Sequence, residues 1–167
     1  MTDPSDANVK LRVANPAYAD RVRESFARQA FMGFIGAEIS DVVPGAVEIR
    51  LPYRPELAQQ HGFFHGGVVG TVADNACGYA SFTLAATDAS VLTVEYKLNL
   101  MAPAAGDLLV ARGRVLRPGR QLVVAQADVF AVREGREKPV ATALATLILM
   151  AGMADEPHDP SHKSPGP

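Results

Sequence analysis

The sequence predicts an α+β fold in which one long central helix is wrapped by a strongly curved antiparallel β-sheet, with an extra helix at the N-terminus. Three observations point there. From Gly66 to Ala86 the only charged side chain is Asp74, so the segment reads as an enclosed helix. Four long strand-like segments then follow one another, which favours a single antiparallel sheet. No internal repeat is visible at solenoid periods.

Asn15 and Pro16 have the form of an N-cap and first helical position. Tyr18, Val22, Phe26 and Ala30 recur every fourth residue, predicting an amphipathic helix to about Phe31. Gly33 and Gly36 end that pattern. "AEISDVV" and "VEIRLPY" read as two short strands around a Pro44-Gly45 turn, closed by Pro52 and Pro55. Residues 54–64 form a loop that enters His65, Gly66 and Gly67. The helix beyond has small residues at Gly70, Ala73, Cys77 and Ala80, so one side is suited to close approach. From Val91 to Met101 the alternation is strict: Leu92, Val94, Tyr96, Leu98 and Leu100 on one face, Thr93, Glu95, Lys97 and Asn99 on the other. Leu108 to Arg117 and Leu122 to Val132 flank Pro118-Gly119, a pair suited to a type II turn, and make a hairpin. "EGREK" turns the chain again into Val140 to Met150.

A chain of 167 residues closes one core without staples. A single domain over 15–151 is expected, between a disordered N-terminus, 1–14, and a disordered Pro- and Ser-rich tail, 152–167. A net charge of -2 gives no electrostatic reason to bind nucleic acid. The uncharged run holds four glycines, an Asp, an Asn and several hydroxyls, so a core helix is expected rather than a membrane span. One cysteine excludes an intrachain disulfide, and the start lacks the basic region and apolar run of a secretory signal. The expected compartment is the cytoplasm.

If Gly66 and Gly67 open the helix, their backbone N–H groups are unpaired and lie at the positive end of its dipole, where an oxyanion is stabilised. The same pair also serves as a plain loop-to-helix junction. Asp74 is costly to desolvate with no basic residue in its segment, unless hydroxyl or backbone donors cap it. Eight residues of helix separate Gly66 from Asp74 by about 12 Å, too far for both to act on one carbon. A two-fold dimer brings the carboxylate of one subunit to the helix start of another, so the site predicts a homodimer. His61 and His65 lack a third ligand, and no metal is expected. Cys77 reads as a core filler rather than a nucleophile. Arg112, Arg114, Arg117 and Arg120 read as a solvated strand face or as a landing site for phosphates.

"HGFFHGG" followed by "VVGTVAD", with "TVEYKLNLMAPAAGD" further on, resembles the hotdog-fold acyl-CoA thioesterases, in particular the phenylacetate-degradation and 4-hydroxybenzoyl-CoA group. The resemblance spans about Phe34 to Met150. It implies hydrolysis of a thioester to free acid and coenzyme A, with Asp74 as nucleophile or general base and Gly66 polarising the carbonyl. His65 assists, Gln59 contacts the thioester, and the Thr93 hydroxyl sits near the attacking water. Gly67, Asn75, Arg117 and Arg120 are the implied substrate contacts, the two arginines for the phosphates. No cofactor is implied, since coenzyme A is part of the substrate. The implied partner is a second copy, as a homodimer or a homotetrameric dimer of dimers. Gln59 with Asp74 combines one element from each arm of the group, and Gly78 stands where one arm has a hydroxyl. A non-catalytic acyl-CoA-binding module, a hydratase and a purely structural protein are the competing readings.

Overall fold

A computed structural model describes residues 11–156. Helices α1 (Tyr18–Ala27) and α2 (Ala30–Ile35) lead into strands β1 (Glu38–Val43) and β2 (Ala46–Pro52). A single 3-10 turn, Pro55–Leu57, precedes the central helix α3 (Gly66–Phe82). Strands β3 (Ala89–Leu100), β4 (Leu108–Arg117), β5 (Leu122–Arg133) and β6 (Arg136–Ala151) complete the chain. All pairings are antiparallel, in the order β1-β2-β4-β5-β6-β3. This is the hotdog arrangement, with α3 held in the curve of the sheet. No helix among the described residues is long and apolar enough to cross a membrane.

Small residues set how closely α3 approaches. Ala73, Ala76 and Cys77 are wholly buried in one core with Ala125 and Ala127 of β5 and Ala141, Ala143 and Ala145 of β6, while Ala80 packs in a smaller cluster with Leu84, Val115 and Val123. At Gly113 on β4 a Cβ would run into the Ala76 carbonyl, so any side chain there must push helix and sheet apart. Cys77 lies in this seam as the expected core filler, and burial pushes its thiol up to about 12.

The N-terminal helix differs from its expected form. It is two helices, because Gln29 takes an extended backbone conformation between them. That break turns Met32 and Ile35 inward and leaves Phe31 and Phe34 exposed. Asn15 builds a turn ahead of the helix rather than capping it: its side-chain oxygen accepts from Ala17 N–H at 3.0 Å and its carbonyl from Tyr18 N–H at 3.1 Å. Gly33 falls inside α2, and Gly36 (φ 79°) ends it in the left-handed region. Contacts extend outside 15–151 at both ends, with Leu11 and Val13 against Ala80 and Val115, and Asp155 paired with Arg28. Residues 1–10 and 157–167 of the expected disordered ends lie outside the described residues.

Turn chemistry explains the hairpins. Glu134 (φ 52°) and Gly135 (φ 73°) form a two-residue turn, so β6 starts at Arg136 rather than Val140. Pro44 and Gly45 (φ 75°) make the expected Pro-Gly turn. Gly119 is not in the left-handed region that a type II turn demands there; it is needed because the Leu122 carbonyl crowds the place of a Cβ.

The strict alternation expected of β3 is broken by a bulge. Thr93 pairs with Leu147 but Glu95 with Thr146, leaving Val94 as an extra residue. One inserted residue reverses which faces the following side chains take. Thr93 therefore shares the helix-facing side with Tyr96, Leu98 and Leu100, which reach Asp74, Gly70 and Gly66, while Glu95 meets Thr146 on the outer side.

Candidate active site

The start of α3 is fixed by His65. Its backbone is extended, and its ring Nδ1 accepts from Gly67 N–H at 3.0 Å, which leaves the ring proton on Nε2. The His65 carbonyl accepts from Val68 and Val69 N–H at 2.9 and 3.1 Å. Both amides of the glycine pair were expected free; the imidazole cap takes that of Gly67. A Cβ at Gly67 would sit 3.1 Å from Nδ1, so glycine there makes room for the ring. Only the Gly66 N–H of this first turn lacks an acceptor among the described residues.

Gly66 borders an open cavity of about 480 Å³ together with Gln59, Phe63, Leu100 and Met101. Gln59 stands at the base of a tight turn: its side-chain oxygen accepts from His61 N–H, its amide donates to Phe63 O at 2.8 Å, and its carbonyl accepts from Gly62 N–H at 2.9 Å. Gly62 (φ 79°) makes that turn possible.

Asp74 lies two turns along α3, half-buried, and accepts a hydrogen bond from the Thr93 hydroxyl at 2.8 Å. Desolvation raises its carboxyl above the usual aspartate range, and the Thr93 bond partly offsets that rise. No cation reaches the carboxylate among the described residues. Asp74 lines a second cavity, of about 170 Å³, distinct from that at Gly66. Asn75 lines it as well, its amide donating to Thr71 O at 3.1 Å.

Asp74, Thr93 and Asn75 thus come together at one cavity, and Gly66 and Gln59 at another; His65 and Gly67 are joined to each other by the cap and line neither. Arg117 and Arg120 are exposed at the end of β4 and line neither cavity. Arg112 and Arg114 are engaged elsewhere, Arg112 with Glu48 and Glu137, and Arg114 with Asp128. Ser25, Gln29, Tyr79 and Asp155 also line the Asp74 cavity, and sequence reasoning missed them. Tyr79 carried a usable signal, because a tyrosine inside an apolar helix needs a partner for its hydroxyl.

Comparison with known proteins follows the same outline. The thioesterase superfamily matches over residues 61–138. A Halobacterium salinarum protein that carries an esterase name is 32% identical over 103 residues, covering 59% of this chain and 68% of the relative. Among solved structures, a thioesterase family protein from Silicibacter pomeroyi is 50% identical with a TM-score of 0.80, covering 81% of this chain and 99% of that one. The E. coli PaaI protein of the phenylacetic acid degradation operon is 20% identical with a TM-score of 0.72, covering 86% and 99%. That last likeness concerns the fold alone.

Proposed function

The chain belongs to the thioesterase superfamily and is a thioester hydrolase, and from that premise we propose that it cleaves acyl-CoA, using Asp74 of one subunit and the Gly66 amide of another. The observation that carries this reading is the Asp74 carboxylate, held by Thr93 in a cavity lined by no cation, on the same helix as one unpaired N–H.

Thr93 occupies Asp74 Oδ1, which leaves Oδ2 to engage water or the thioester carbon. In the general-base route, water oxygen adds to the carbonyl carbon as its proton passes to Asp74. The oxyanion accepts from Gly66 N–H, the C–S bond breaks, and the proton returns to the departing thiolate. In the nucleophilic route, the carboxylate itself adds to the carbonyl carbon, the C–S bond breaks to release the thiolate, which takes its proton from water, and water then hydrolyses the resulting anhydride. Label found in Asp74 after single-turnover hydrolysis in ¹⁸O-water identifies the nucleophilic route with water attacking the Asp74 carbon of the anhydride, because no other route exchanges that oxygen.

Strand β3 supports the two-subunit reading. It is a sheet edge bonded only to β6 among the described residues, and Leu92, Val94, Tyr96, Leu100 and Met101 along it are exposed. Such an edge is suited to pairing with a second copy. The direct test is thiol release from a panel of acyl-CoA thioesters by wild type and Asp74→Asn. The expected result is a loss of about 10²-fold or more in a variant that still melts cooperatively. Full activity in Asp74→Asn would remove the carboxylate from the mechanism.

A further inference from the structure

The cavity at Asp74 carries information about the acyl group. Its volume of about 170 Å³ is that of a site for a single small ring, since a cavity of roughly 150 Å³ takes benzene. Its far wall is polar. Tyr79 Oη lies 3.2 Å from Ser25 Oγ and accepts from Gln29 Nε2 at 3.0 Å. The Tyr79 ring is held edge-on by Phe26 and Phe82, with centroids 5.5 and 6.1 Å away, so its hydroxyl has a fixed position.

Hydrogen-bond bookkeeping leaves capacity unused on this wall. Ser25 and Tyr79 own two hydroxyl hydrogens, and their mutual bond consumes one. The other has no acceptor among the described residues, and no donor among them reaches Gln29 Oε1. The wall therefore offers one donor and one acceptor. Among the described residues the lining holds two carboxylates, Asp74 and Asp155, and no cation; Arg28 pairs with Asp155, so Asp74 carries the uncompensated charge.

Resting on the thioesterase reading, we propose that Ser25, Gln29 and Tyr79 are specificity-determining residues that select a compact acyl group with a neutral hydrogen-bonding end. A long alkyl chain overruns the volume and strands the polar wall. A terminal carboxylate finds no cation in the lining to replace its water.

The test compares CoA thioesters of equal length that end in methyl, hydroxyl or carboxylate, namely pentanoyl, 5-hydroxypentanoyl and glutaryl, with dodecanoyl as the long chain. Wild-type kcat/KM is expected to favour the hydroxyl end over the methyl end by about fivefold to tenfold, in line with one net hydrogen bond. Glutaryl and dodecanoyl are expected at about a tenth of pentanoyl or less. Tyr79→Phe and, independently, Gln29→Met should each bring the hydroxyl-to-methyl ratio down toward unity. A merely structural role would lower all substrates together and leave these ratios fixed, which overturns the inference. Preference for dodecanoyl or glutaryl in the wild type overturns it while leaving the thioesterase reading intact. Hydrolysis of none of the four, nor of any wider acyl-CoA panel, overturns both.

Discussion

Asp74 carries opposing demands on stability and activity. Its folded-state carboxyl holds its proton to higher pH than an unfolded aspartate, so its contribution to stability is present at low pH and is lost as pH rises through the raised value. Asp74→Asn removes that cost, and its melting temperature at pH 7 is expected to exceed wild type by about 1–3 °C. The gain should vanish below about pH 4, where the wild-type carboxyl is neutral too. Activity runs the other way, since only the carboxylate serves as base or nucleophile; the acidic limb of kcat/KM should lie above the ordinary aspartate range. A limb at or below that range would contradict the desolvation of Asp74, while an acidic limb that persists in Asp74→Asn would contradict its assigned role. Sequence alone exposed Asp74, because one acid in an uncharged run is conspicuous. It could not assign the Gly67 amide, because that depends on which way the His65 ring turns.

At the scale of elements, two junctions decide whether the site exists. His65 is the cap of α3, so His65→Ala is expected to cost about 1 kcal/mol in denaturant unfolding. His65→Asn, which restores a capping oxygen, should recover most of that loss. Equal destabilisation by both would mean the ring acts through something other than the cap. The second junction is the β3 bulge. The alternation of Val91 to Met101 marked the strand but concealed the bulge, because Val94 between Thr93 and Glu95 keeps the apolar-polar pattern unbroken. Without the bulge, Thr93 and Tyr96 would face opposite sides of the sheet. Deleting Val94 is expected to turn away from α3 either the Thr93 end, with loss of the Thr93–Asp74 bond, or the Tyr96 end, and to lower hydrolysis at least tenfold in either case. The break between α1 and α2 was equally hidden, since a period-four pattern does not record one extended residue at Gln29.

Across the whole molecule, the prediction with the most reach concerns where an active site begins and ends. Gly66 is the first residue of α3, a position that tolerates proline, so Gly66→Pro deletes the proposed oxyanion donor. Asp74→Asn and Gly66→Pro should each be inactive alone. Co-expressed, they should regain about a quarter of wild-type activity, because half of randomly assorted dimers are mixed and each mixed dimer owns one intact site. No recovery from well-mixed dimers would place both groups within a single chain. The sheet and the buried helix were legible in the sequence because they rest on periodicity, whereas the two-subunit site remains the proposal that this co-expression tests. The Asp74 cavity was not legible, because Ser25, Tyr79 and Asp155 come from three distant parts of the chain and meet only after folding.

The burial of Cys77 bears on the fate of the product. Hydrolysis of a thioester releases a thiol beside the enzyme at every turnover, and under oxidising conditions such a thiol seeks a partner. The chain's one cysteine lies in the seam between helix and sheet, wholly buried and with burial pushing its thiol up, so it is shielded both from contact and from ionisation. Mixed-disulfide formation with a released thiol is thereby expected only after unfolding, which mass measurement after incubation with oxidised coenzyme A checks.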